Sequence, residues 1–292
     1  MKKNEKLTSR LYLTYILTLI PFILFGLYKN GYELYKKDYI NLLESLKPLI
    51  IIFMSIVGTI LGILIKTHRK TKKWDINLET LRCPIIESII LASILPLKTS
   101  PIIIFIITII GSIFLKNTRL NKIAILYILI SLINHILGLD SFLNIYQSSK
   151  SLNYNGIDLF LGLGVGGICS TSILLVTVSL IALSFNNLYK KDLVITSIIV
   201  FLLFGIISNM ISGEYLKIFE IIFGYNVLFI FVFIAPNLYS SSYTMQGQML
   251  SGIVLGTLTY FLLMISPYNA AIISILVVNL LSGIFDRIFV IK

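Results

Sequence analysis

Seven polar side chains fall inside strongly apolar stretches of this sequence: Glu87, Asn134, His135, Asn209, Glu220, Asn226 and Asn279. Glu87 and His135 could relay a proton, while the asparagines offer only hydrogen bonds. An ionisable group at the centre of a bilayer costs about 2.5–3.5 kcal/mol on insertion scales, so each needs a partner or a wet cavity. The plainer reading lets Glu87 snorkel near the end of its helix and gives His135 a hydrogen bond to Asn134 or a nearby carbonyl. A second candidate is the glycine-rich run from Gly162 to Ser172, which contains Gly164, Gly166 and Gly167 and opens an apolar helix. Free amides at a helix start favour a phosphate or another anion, although glycines at this density also serve close helix contacts. Paired carboxylates, H-E-x-x-H, G-x-S-x-G, a P-loop and a dinucleotide fingerprint are all missing, so the chain does not read as an independent catalyst. Cys83 and Cys169 stand far apart and read as small buried hydrophobes, and no metal site is expected.

The elements that carry these residues are set by composition. Of 292 residues, 57% are hydrophobic and 13% charged, and the mean hydropathy is +0.94. A soluble enzyme is excluded, because soluble domains carry about a quarter of their residues charged. Ten apolar runs are found: 11–28, 49–65, 85–97, 102–115, 123–139, 159–185, 193–211, 218–235, 249–265 and 270–285. No small-residue cleavage pattern follows the basic start, so the first run reads as a retained helix. The formal charge of +11 sits mainly in the connections, as in Lys66, Arg69, Lys70, Lys72 and Lys73. Such clusters set topology and meet anionic headgroups, so nucleic acid is not an expected partner. Alternate connections starting from the N-terminus hold 17 of the 24 Lys and Arg residues, which places both termini in the cytoplasm. The expected fold is an all-α polytopic membrane protein of about ten transmembrane helices, a single domain over 1–292 in the cell membrane.

Two segments share a layout. Ser88–Pro96 and Leu228–Pro236 are apolar runs broken by proline, each followed by a linker with Ser or Thr, and each is third among five runs. Repeats of an odd number of helices have opposite orientation, so a 5+5 inverted repeat is expected, repeat one over 11–139 and repeat two over 159–287. Bare backbone at membrane depth survives only where protein or a lined cavity satisfies it, so Pro96 and Pro236 mark the expected functional centre.

With its flanks, the glycine run resembles the RnfD and NqrB family, membrane components of Rnf electron-transfer complexes and of sodium-translocating NADH:quinone reductase. Asp158, Phe160, Gly162, Gly166, Ile168, Thr171 and Ser172 match the family's D-x-F-x-G and G-S-I-G-E-T-S patterns. Further matches are Phe233–Asn237 through Ser241, Thr244, Gly247 and Gln248, then Gly252, Gly256, Asn279–Leu281 and Asp286–Arg287, with Thr8–Arg10 and Leu95–Pro96 in the first half. The resemblance implies an inverted-repeat architecture similar to urea-channel folds, partner membrane subunits and FMN.

The departures shape the functional expectation. Where the family esterifies FMN to a threonine, this chain has Lys150, which cannot form a phosphoester. Ser149 and Ser151 are the candidate acceptors beside it, but the glycine and alanine context is missing, so FMN is expected to be non-covalent. Its phosphate would lie on the amides around Gly166, Gly167, Thr171 and Ser172. Two family acids are replaced by Ser170 and Asn237, and the segment Lys116–Lys122 replaces a glycine-rich one. The leading expectation is a membrane subunit of an Rnf- or Nqr-like complex, with Pro96, Ser170, Pro236 and Asn237 along an ion or solute path. The alternatives are a channel or transporter for a small neutral solute and a non-redox scaffold for flavinylated partners.

Overall fold

The structure, a computed structural model, describes residues 2–36, 38–72, 78–115, 120–139, 156–164, 166–212 and 225–290. Among these residues every regular element is helical. In the first half, α1 (Lys2–Leu27) passes through a π turn at Tyr28–Tyr32 into α2 (Glu33–Lys36). There follow α3 (Leu42–Ser45), α4 (Lys47–Thr71), α5 (Leu78–Ile94), α6 (Pro101–Phe114) and α7 (Lys122–Ile136). The second half contains α8 (Gly156–Leu161), α9 (Ile173–Ser184), α10 (Lys191–Ser212), α11 (Val227–Phe233), α12 (Met245–Leu263) and α13 (Ala270–Val290). By length and composition, Leu7–Lys36, Lys47–Thr71, Lys191–Ser208 and Ala270–Phe289 can each cross a bilayer, while α6, α7 and α9 are shorter apolar helices.

Polarity is inverted relative to a soluble core, as a hydrocarbon solvent requires. Phe53, Ile110, Ile181 and Leu203 are exposed, whereas Ser55, Thr59, Thr108 and Ser251 are buried. Hydroxyls inside the helices bond to carbonyls of the preceding turn, as in Thr18 to Thr14 at 2.9 Å and Thr108 to Ile104 at 2.8 Å. Among the described residues the regular structure is all helical, and four helices long and apolar enough to cross a bilayer mark the chain as a membrane protein.

Two helix pairs organise the halves in the same way. α4 carries Gly58-x-x-x-Gly62, and a Cβ at either glycine would lie 2.7 Å from a carbonyl oxygen of α6, that of Phe105 or Ile109 respectively. α12 carries Gly252-x-x-x-Gly256, whose Cβ atoms would lie 2.6 and 2.7 Å from the Leu193 and Ser197 carbonyls of α10. In both pairs the contacts advance in the same direction along the two helices, so each pair is parallel. The small residues bring the backbones into direct contact, where dispersion can act without a hydrophobic driving force.

Hydrogen bonds gather the helix ends into two levels. At one end Arg82 reaches Ser9 at 2.9 Å and Lys66 reaches the Ser112 carbonyl at 3.1 Å. At the other, Asn134 reaches Thr99 at 2.9 Å and Ser131 reaches Asn269 at 3.3 Å.

The sixth apolar run, expected as one helix over 159–185, is interrupted. α8 stops at Leu161, residues 162–164 and 166–172 are irregular, and Ser172 starts α9 by accepting the Leu175 amide at 3.4 Å. The cause is local. Gly162 sits at φ +102°, where a Cβ would meet the Ser172 backbone at 2.5 Å, and the amides of Ile168 and Cys169 bond to α5 and the residue after it rather than to their own helix.

Gly58→Leu and Gly252→Leu should each remove about 1–3 kcal/mol of stability through overpacking. Phe53→Leu, on an exposed surface, should leave the unfolding midpoint in detergent unchanged; a glycine variant that unfolds with the wild type would contradict this packing.

Candidate functional site: two broken helices

α5 ends at Ile94, two residues before Pro96, and α11 ends at Phe233, three before Pro236. Each proline lacks an N–H and so frees a carbonyl in the preceding turn. The carbonyl freed by Pro236 belongs to Val232 and accepts the Tyr189 hydroxyl at 2.9 Å. The one freed by Pro96 belongs to Ala92 and accepts the Leu95 amide at 3.4 Å.

The carbonyl two residues before each proline is capped from the opposite half. Asn226, which precedes α11 at φ +60°, donates to the Ile94 carbonyl at 3.4 Å and accepts the Gly167 amide at 2.8 Å. Asn121, which precedes α7, donates to the Ile234 carbonyl at 2.8 Å and accepts the Ile123 and Ala124 amides at 3.0 and 3.4 Å. Both asparagines are buried. Asn121 thus closes the start of α7 and the end of α11 together, while Asn226 ties the glycine segment to the end of α5. Asn134, through Thr99, holds the turn after Pro96, where the Thr99 amide bonds the Pro96 carbonyl at 3.1 Å.

The glycine segment packs into the first break. The Ile168 and Cys169 amides donate to the Leu95 and Ser93 carbonyls, both at 3.0 Å. Thr171 donates to the Gly162 carbonyl at 2.7 Å, and a Cβ at Gly167 would meet Ser170 Oγ and the Ile94 carbonyl within 2.7 Å. A Cβ at Gly166 would meet the Asn226 and Thr171 side chains at 2.5 Å. The amides of Gly167, Ile168 and Cys169 and the Thr171 and Ser172 hydroxyls are thus engaged with protein, and Gly166 and Gly167 leave no gap beside them. Engaged in this way, the Gly167, Ile168 and Cys169 amides and the Thr171 and Ser172 hydroxyls do not fit an FMN phosphate. Ser149, Ser151 and Glu220 lie outside the described residues, as does the side chain of Asn209.

Pro96 and Ser170 belong to this crossing and are both buried, with Ser170 Oγ unbonded. Pro236 and Asn237 belong elsewhere. They face a vestibule at the Arg82–Ser9 end, lined by Tyr12, Cys83 and Glu87. Its outer part, of about 410 Å³ between the described residues, also reaches Lys66 and Lys122. Glu87 Oε2 stands 3.6 Å from Lys122 Nζ, and Oε1 accepts the Cys83 thiol at 3.7 Å, so Glu87 is paired rather than snorkelling alone. Phe233 closes the inner wall. Behind it, Phe229 stacks at 4.5 Å between centroids, and Phe22 meets the two rings edge-on at 5.1 and 5.5 Å. This aromatic plug separates the vestibule from the crossing at Gly167. His135 is exposed in a groove with Ser131 and Asn269, whereas Asn279 and Cys169 are buried.

After Pro236 the chain is held by residues with a weaker sequence signal. Lys190 donates to the Ser241 carbonyl at 2.7 Å and to those of Asn237 and Leu238 at 3.3 Å. Asp286 accepts the Tyr243 and Thr244 amides at 3.0 and 3.1 Å, and Thr244 caps α12 by accepting the Gly247 amide at 3.1 Å. Thr244, Gly247 and Asp286, three positions that carry the family resemblance, thus meet at one helix start.

Burial pulls the Lys190 ammonium down from 10.5 to about 8, against an upward pull from the Asp286 carboxylate. The unfolded chain keeps this proton to about 10.5 while the folded chain releases it near 8, so the Lys190 contribution to stability rises between those pH values. Relative to Lys190→Met, the wild type should gain unfolding free energy over that window. A flat or falling difference would contradict the assignment.

Residues 122–292 match the NQR2, RnfD, RnfE family. No curated protein matches the chain. The match covers more than half of the sequence and takes in both the glycine segment and the second broken helix, and the chain belongs to the NQR2, RnfD, RnfE family.

Proposed function

We propose that this chain is a membrane subunit of an Rnf- or Nqr-like electron-transport complex, supporting flavin-linked electron transfer coupled to ion translocation. It would lie in the cell membrane with ten spans in a 5+5 inverted repeat and both termini in the cytoplasm. The observation that carries this reading is the family match over 122–292, joined to two broken helices capped in the same manner. In this reading the electron carriers belong to partner subunits, and this chain supplies the ion path. The vestibule at Pro236, Asn237 and Glu87 would be the cytoplasmic mouth, and Pro96 and Ser170 would lie beyond the Phe22–Phe229–Phe233 plug. An ionisable pair such as Glu87–Lys122 at the end of a wet cavity can bind and release a cation or proton, because the cavity lowers the cost of its charge.

Isolation in a mild detergent should recover the chain with membrane proteins bearing flavin or iron–sulfur centres, while the chain expressed alone should be colourless and free of flavin fluorescence. A chain that isolates alone and lets liposomes take up a small neutral solute would replace this reading with a solute pore. Flavin fluorescence surviving denaturation of the lone chain would place a covalent flavin on it and overturn the assignment of carriers to partners.

The cysteines test the mouth. A membrane-impermeant methanethiosulfonate applied from the cytoplasmic side at alkaline pH should modify the half-buried Cys83, which lines the vestibule, faster than the fully buried Cys169. Modification of Cys83 from the outside only would reverse the orientation.

A further inference from the structure

Lys29 is 1% exposed, yet it carries a side chain that seldom enters the interior unpaired. It stands in the π turn Tyr28–Tyr32, which inserts an extra residue into the first span and turns Lys29 and Asn30 inward. Asn30 bonds the Ile168 carbonyl at 2.7 Å. Lys29 Nζ donates to the Gly162 carbonyl at 2.8 Å, to Thr171 Oγ1 at 3.1 Å and to the Gly164 carbonyl. Three ammonium hydrogens thus meet three oxygens, none of them a carboxylate, and the Glu33 carboxylate one turn on adds the field of a single negative charge.

The cage is built rather than incidental. Gly162 holds φ +102°, a conformation that strains any other residue, and its carbonyl also receives the Thr171 hydroxyl at 2.7 Å. Converging carbonyl and hydroxyl oxygens replace the hydration shell of a monovalent cation, whereas Ca²⁺ and Mg²⁺ sites add carboxylates to balance a second charge. An ammonium has the same unit charge and makes the same short contacts, here at the end of a tether.

We propose that the oxygens of Gly162, Gly164 and Thr171 form a monovalent-cation site whose resident cation is the chain's own Lys29 ammonium. The site is permanently filled, so a mobile ion passes elsewhere. It locks the first span to the glycine segment, because an empty cage would deprive the Gly164 carbonyl of its ammonium partner and leave the Gly162 carbonyl with the Thr171 hydroxyl alone. This inference does not depend on the proposed function, since its readout is folding rather than transport.

The test is Lys29→Ala, which opens the cage, unfolded in detergent with sodium, potassium, ammonium or choline as the chloride salt at matched ionic strength. The variant should unfold several degrees higher in at least one of the small cations than in choline, as a ligand bound only by the folded state requires. Wild type should be indifferent to the cation, and so should Lys29→Met, whose side chain refills the cage without charge. A Lys29→Ala midpoint equal in all four salts, or an equal response from Lys29→Met, overturns the proposal. If Lys29→Ala gives no folded protein in any salt, lysine-¹⁵N-labelled protein in a Lys190→Arg background decides. A slowly exchanging ammonium resonance supports the cage, and its absence overturns it.

Discussion

A peptide carbonyl released from a helix inside a bilayer has no water to bond, and the rest of this structure follows from how two such carbonyls are satisfied. Those of Ile94 and Ile234 each stand two residues before a proline, and each accepts an asparagine amide from the other half of the chain, Asn226 or Asn121. Neither broken helix can close its own end. The halves are thereby bound by polar bonds between buried groups, which are costly when left unpaired. Asn121 also accepts amides at the start of α7, so that helix start and the break of the other half form together, while Asn226 accepts the Gly167 amide and draws the glycine segment onto the first break.

The parallel glycine-lined pairs place these breaks. α4 on α6 and α12 on α10 fix the helices that flank each half-helix, and close backbone approach at Gly58, Gly62, Gly252 and Gly256 leaves little freedom to slide. α11 is then enclosed on all sides. Val227 and Phe229 through Phe233 are all buried, and the rings of Phe229 and Phe233 meet Phe22 of the first span. A helix apolar all round can serve as a plug between two polar regions, the vestibule at Glu87 and the crossing at Gly167.

Much of this was legible in the sequence, and the gaps have physical causes. Pro96 and Pro236 mark the breaks because proline removes a helix hydrogen bond and each is followed by a polar linker, unlike Pro21 and Pro84, which stay within helices, and Asn226 stands out as a polar group in an apolar run. Asn121 does not, because it borders a charged connection and reads as loop; its only local signal is that an asparagine precedes an apolar helix, as N-caps do. Lys29 was hidden for a similar reason. A lysine at the end of a span normally turns to the headgroups, and only the π turn, which periodicity does not reveal, directs it inward. The glycine segment reads from sequence as the start of a helix, since no local pattern shows that its amides bond to the first break. Tyr189 and Lys190 lie 40 or more positions from the carbonyls they satisfy, beyond the reach of any local pattern.

The reciprocal capping is tested most directly by two substitutions that spare local structure. Asn121→Ser keeps a residue able to cap α7 but is too short to reach Ile234, and Asn226→Gly keeps the left-handed backbone at φ +60° while removing the side chain. Unfolding of both variants in detergent is the measurement. Each should lose about 1–3 kcal/mol, the cost of an unsatisfied buried acceptor. A variant as stable as the wild type would show that its break is held by something other than the opposite half.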